Sequence, residues 1–216
     1  MPETLTFYTN PMSRGRIVRW MLEEVGEPYE TVLLDYGTTM KGADYLAVNP
    51  MGKVPAILHG ETVVTECAAI CAYLADAFPE SNLAPPPGSR ARGPYYRWLF
   101  FAAGPVEAAV TAKSLGLLAP EDKQAMAGYG TFDHVIDALE TALAPGPYLC
   151  GEQFTAADVY VGAQLGWGLM FKSIEPRPAF TDYVGRLQAR PAAIRANQLD
   201  DAAMPKQEPA PAPQPA

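Results

Sequence analysis

The chain has 216 residues, a length that closes one large domain or two small ones around a proper core. Its hydrophobic fraction of 49% and charged fraction of 19% are ordinary for a soluble globular protein, and the net charge of −8 comes without a block of lysines and arginines. That balance excludes the basic stripe of a nucleic-acid binder and the polybasic patch of a protein held on an anionic membrane, so neither partner is expected.

The N-terminus, Met1-Pro2-Glu3-Thr4, runs straight into an alternating segment without a basic region and long apolar run, so no secretory signal is expected. Residues 5–8 read as a short strand. After the Asn10-Pro11 turn, Ser13 opens a helical run with Ile17, Trp20, Met21 and Val25 near helical spacing, ended around Gly26 and Pro28. Residues 30–34 are a second strand, and residues 56–59 and 62–65 are two more, joined through His59-Gly60-Glu61 at hairpin length. A second helix runs from about residue 66 to 77, with Ala69, Ile70, Tyr73 and Leu74 on one side. The order β-α-β, then β-β-α, predicts a small mixed sheet with helices packed on it over residues 1–78.

Residues 79–90, with Pro85-Pro86-Pro87, read as a linker. From 91 to 200 the pattern is helical throughout, with breaks near Gly116, Pro120, Pro145-Gly146-Pro147 and Pro176-Arg177-Pro178. Within it, Thr155-Ala156-Ala157-Asp158 has capping-box spacing, and Phe154 and Val159 can close a hydrophobic staple. The most apolar stretch, residues 158–171, is broken by Gly162, Gly166 and Gly168 and is too short to span a bilayer. Residues 201–216 are predicted to be an extended, disordered tail, with five prolines among the last twelve positions. The three cysteines, at 67, 71 and 150, are sparse and odd in number, which fits a reducing cytosol better than a disulfide framework. His59 and His134 are the only histidines, so no metal site is expected.

Chemistry concentrates in Asn49-Pro50-Met51-Gly52-Lys53-Val54-Pro55 and Thr65-Glu66-Cys67-Ala68-Ala69-Ile70. Pro55 starts a strand without an N–H, and Val54 before it must be extended, which leaves a backbone edge for an extended peptide ligand. Glu66 and Cys67 fall where a strand turns into a helix, whose N–H groups bind a carboxylate while Glu66 meets an ammonium. Lys53 can meet a second carboxylate. One ammonium and two carboxylates flanking a short extended backbone are the features of glutathione. The residues alone leave bland readings open: Ser13 as a helix N-cap, Glu66 as a first-turn charge, Lys53 as a solvated loop lysine.

These segments, with Pro11-Met12-Ser13 before the first helix and Gly151 to Asp158 in the helical half, resemble the cytosolic glutathione S-transferase family, bacterial-type and serine-dependent, over residues 5–197. The resemblance implies a thioredoxin-like N-terminal domain followed by an all-helical C-terminal domain. It implies a cis Val54-Pro55 bond, with Val54 pairing its backbone to the cysteinyl part of glutathione as co-substrate. Glu66 then binds the γ-glutamyl amine, Cys67 the γ-glutamyl carboxylate, Lys53 the glycyl carboxylate, and Lys41 is a further contact. The family has Ser or Thr where Cys67 stands. Ser13 is the expected thiol-activating residue, with Tyr8 its rival and Arg14 or Arg16 adding positive potential. Met12, Tyr96, Phe100, Phe101, Gly104 and Pro105 are expected around a small hydrophobic electrophile, against the alternative that the aromatics are helix core. The expected activity is a cytoplasmic detoxifying transferase working as a homodimer. Two alternatives stand beside it: a non-catalytic binding module of the same fold, and a glutathione-dependent thiol-disulfide oxidoreductase.

Overall fold

In the computed structural model, which describes residues 3–205, β1 (Leu5–Thr9) sets the frame by strict alternation. Leu5 and Phe7 face the main core, while Tyr8 points to the opposite side, towards Leu34, Met40 and Tyr45. The sheet order is β2-β1-β3-β4, with β2 at Glu30–Leu33, β3 at Ala56–His59 and β4 at Thr62–Thr65. β1 pairs parallel with β2, which requires the crossover helix α1 (Gly15–Val25), and antiparallel with β3, which turns tightly into β4. α3 (Cys67–Ala77) packs with α1 on the Phe7 face. This is the thioredoxin-like arrangement expected.

Two features of this half were not legible. Residues 35–48, which the sequence reading left without an element, form a short 3-10 turn at Thr39–Lys41 and α2 (Ala43–Val48). A helix of six residues shows less than two turns of pattern, and its anchor, Tyr45, carries the signal alone. α1 itself starts at Gly15, so Ser13 lies in the turn before it.

The second half is helical, as expected. α4 (Arg92–Phe101) runs into α5 (Glu107–Ser114) through a π-turn at Ala102–Val106 that contains Pro105. Proline has no N–H for the i→i−4 bond, and widening the turn accommodates it without breaking the rod. α6 (Phe132–Leu143), α7 (Ala156–Met170), α8 (Pro178–Gln188) and α9 (Pro191–Ala202) follow. α9 runs two residues into the segment expected as a tail from 201, and residues 206–216 lie outside the described residues.

α7 is the centre of this half. The capping box of Thr155 and Asp158 is closed at its start, with Phe154 and Val159 buried beside it. Asp158 is fully buried and also accepts from Leu149 N–H and the Tyr183 hydroxyl, both at 2.8 Å, tying the preceding loop and α8 to α7. Gly162 is required by packing, since a Cβ there would lie 2.2 Å from Leu187 Cδ1. Among the described residues no helix is long and apolar enough to cross a membrane.

Candidate functional site

Asn10 builds the turn between β1 and α1. It is buried; its Nδ2 donates to Leu34 O at 2.8 Å and its Oδ1 accepts Met12 N–H at 2.9 Å. The Ser13 hydroxyl donates to Asn10 O at 2.7 Å and accepts Gly15 N–H at 2.9 Å. One oxygen thus caps the helix start and carries a proton that a rotation of Cβ–Oγ redirects outward. Gly15 lets α1 press against the end of β1, because a Cβ there would sit 1.9 Å from Thr9 Oγ1.

The loop before β3 is shaped by donors that converge on its carbonyls. Tyr45 Oη and Asn49 Nδ2 donate to Lys53 O at 2.6 and 2.8 Å, and Lys41 Nζ donates to Gly52 O at 2.5 Å. The Val54-Pro55 bond is cis. Among the described residues the Val54 N–H and C=O find no backbone partner.

At the junction of β4 and α3, Glu66 holds φ 68° and ψ 121°, a left-handed conformation that a side chain resists. Its carbonyl accepts Ile70 N–H at 2.8 Å, so the chain turns sharply there into the first turn of α3. Cys67 is buried beneath it with Sγ 3.7 Å from Arg14 O, and burial pushes its thiol up to about 12. It is a weak donor and no thiolate.

A cleft of about 1240 Å³ collects Met12, Ser13, Lys41, Lys53 and Val54 on one side, with α5 facing them. A smaller one of about 290 Å³ collects Lys53, Val54, Pro55, Glu66 and Cys67. The two meet, because Arg14, Lys53, Val54 and Glu107 line both. Every residue expected for glutathione therefore borders one connected depression. Among the described residues no group of His, Cys, Asp or Glu side chains is placed to hold a metal ion.

Of the residues expected around an electrophile, one borders a cleft. Met12 lines the larger cleft, but Tyr96, Phe100, Phe101, Gly104 and Pro105 line neither. Tyr96 accepts from Arg92 at 3.0 Å, Phe101 stacks edge-on to Trp98 at 5.4 Å, and Phe100 is 71% exposed away from the cleft. Beyond the π-turn, Glu107, Val110, Thr111 and Ser114 of α5 line the larger cleft at helical spacing. That i, i+3, i+4, i+7 pattern was the missed signal; the aromatic run before it masked it. Ile17 and Trp20 of α1, with Trp167 and Met170 of α7, add apolar surface. Tyr8 lines neither cleft and packs on Tyr45 at 5.5 Å on the sheet face away from Phe7.

Residues 12–77 match the family described as glutathione S-transferase, N-terminal domain, and residues 107–167 that described as glutathione S-transferase, C-terminal domain. The chain is similar to glutathione S-transferase GstA of Escherichia coli O157:H7, 30% identical over 174 residues covering 79% of this chain and 86% of that one. It is 29% identical to glutathione S-transferase 3 of Zea mays over 163 residues, 71% of this chain and 73% of that one. Its fold matches a glutathione transferase from Methylococcus capsulatus at a TM-score of 0.77, with 34% identity, covering 92% of this chain and all of that one. It also matches a sphingomonad glutathione S-transferase complexed with glutathione at a TM-score of 0.71, with 31% identity, covering 91% of this chain and 98% of that one.

Proposed function

The chain belongs to the glutathione S-transferase family, and from that premise we propose that it transfers the thiolate of glutathione to small hydrophobic electrophiles, with Ser13 activating the sulfur. The observation that carries this reading is the unpartnered Val54 backbone at the junction of the clefts, with Lys53 on one side and Glu66 on the other. Glutathione laid along Val54 puts its ammonium at Glu66 and its γ-glutamyl carboxylate at the α3 N-terminus beside Cys67. Its glycyl carboxylate then meets Lys53 and Lys41, and its sulfur faces Ser13.

A free thiol of pKa about 8.5 is only about 3% ionised at neutral pH. Two units of depression, about 2.7 kcal/mol, make most of it thiolate. The Ser13 hydroxyl turned onto the sulfur, near the start of α1, supplies a charge-assisted bond of that order. The thiol proton leaves to water, and the sulfur lone pair forms the new bond to the electrophilic carbon as the leaving group departs. The apolar part of the larger cleft holds the electrophile. The free cysteines support a reducing compartment such as the cytoplasm for this detoxifying chemistry. The exposed Tyr96 and Phe100 on α4 support a homodimer that covers them.

The test is turnover of glutathione with an activated aryl halide by protein whose mass is read in parallel by light scattering. Saturable conjugation by a species of twice 23.3 kDa is expected. Glutathione binding by calorimetry without turnover on an electrophile panel identifies a non-catalytic binding module instead. A fully active monomer removes the dimer and leaves the transferase.

A further inference from the structure

Glu107 opens α5 immediately after the π-turn, and its carboxylate is fixed twice. One oxygen pairs with the Arg14 guanidinium, and Oε2 accepts Gln164 Nε2 at 3.1 Å. The Arg14–Glu107 pair spans 93 positions of chain, from the turn that carries Ser13 to the first turn of α5. Both partners line both clefts. Among the described residues neither forms an ion pair with any other group.

Opposite charges held beside a sulfur act on its ionisation in opposite senses: a guanidinium favours the thiolate and a carboxylate disfavours it. A sulfur built into the site already responds to both. At Cys67, whose thiol is driven up first by burial, Arg14 pulls down while Glu107 pushes up, alongside Glu66. The remaining charged and titratable groups lining the clefts are Glu66 before α3, Cys67 of α3, Tyr160 of α7, Tyr36, Lys41 and Lys53 of the segments around α2, Arg16 of α1 and Asp201 of α9. The Arg16 charge is met by Asp201 of α9 at 2.6 Å.

We propose that Glu107 is a positioning residue for the thiol step: it holds the Arg14 guanidinium at the cleft that Ser13 also lines and, by offsetting part of its charge, sets how far the thiol of bound glutathione ionises. This deepens the transferase reading and rests on it. A thiolate loses nucleophilicity as its pKa falls. Partial offset therefore keeps the sulfur ionised near neutrality without making it a weak nucleophile.

The experiment titrates the thiolate absorbance of bound glutathione against pH in the parent protein, Glu107→Gln, Arg14→Met and the double variant. Glutamine keeps the shape and an acceptor oxygen for Arg14, and Gln164 can turn its amide to meet the new NH₂ group. Glu107→Gln is expected to lower the midpoint by roughly half a unit, about threefold in the thiolate-to-thiol ratio at fixed pH. Arg14→Met is expected to raise it by a similar amount, with the double variant between them. A purely structural role moves melting temperature and affinity but leaves the midpoint in place. If both single variants bind glutathione and titrate with the parent midpoint, or if Glu107→Gln raises it, the role of Glu107 is overturned while the transferase reading stands. A parent in which bound glutathione shows no thiolate overturns both.

Discussion

The Ser13 hydroxyl accepts one backbone N–H and donates to one carbonyl, at 2.9 and 2.7 Å, so its proton is engaged until a ligand arrives. The helix cap and the proposed thiol activation thus call on one oxygen at different moments. Glu66, Cys67, Lys53 and Val54 were legible as residues bordering one depression because they sit in short contiguous runs of sequence. Glu107 was not, because its partner Arg14 lies 93 positions away and only the fold brings them together. Cys67 is where a substitution within the family pattern has a measurable consequence. Burial, the dominant effect, pushes its thiol up to about 12. At pH 8 the thiolate fraction is then about one in ten thousand. Alkylation of the native protein with iodoacetamide at pH 8 should therefore label the half-buried Cys150 and spare Cys67 and Cys71, read by peptide mass spectrometry. Rapid labelling of Cys67 contradicts its place beneath Glu66.

α1 and α9 show how an element's charge pattern fixes a packing that its apolar residues do not. α9 buries only Ala193, Ala196 and Asp200, side chains too small to anchor a helix by area. The charges run in complementary order instead. Arg16 pairs with Asp201, Arg19 with Asp200, Glu23 with Arg195 and Glu24 with Arg190, all at 2.6–2.7 Å. That order, positive to negative along both helices, requires them to lie antiparallel. The pairs differ in weight: Arg195 is 72% exposed and contributes little, while Arg19 and Asp200 are buried. Burial raises the Asp200 pKa against the opposing pull of Arg19, and its Oδ2 has no partner, so the pair specifies more than it stabilises. Arg19→Met or Asp200→Leu alone should each cost about 3–5 kcal/mol in denaturant unfolding, because either leaves a buried charge. The double variant should cost much less than their sum, and strict additivity contradicts the pairing. The strands, α1 and α3 were legible from periodicity. The π-turn was not, since a glycine and proline inside a helix signal a break of unspecified form, and only the packed helix shows it absorbed.

At the scale of the molecule, the sheet half supplies the cis Val54-Pro55 edge and the helical half the facing wall, and neither cleft is lined by one half alone. The sequence pattern was enough for the two-part architecture, because strand and helix periods change near residue 79. Which face of α5 lines the larger cleft was not legible, since it depends on the π-turn before it. The account stands on the sulfur of glutathione lying at Ser13 and being ionised there. The direct measurement is the thiolate absorbance of bound glutathione, titrated for the parent, Ser13→Ala and Tyr8→Phe. Ser13→Ala should bind glutathione nearly as well, raise the thiol midpoint by one to two units and lower turnover at neutral pH by roughly ten- to a hundredfold. Tyr8→Phe should titrate with the parent, because Tyr8 lines neither cleft. If Ser13→Ala keeps the parent midpoint, Ser13 is a helix cap and the account is contradicted; a shift in Tyr8→Phe instead moves the activating hydroxyl to the other face of the sheet.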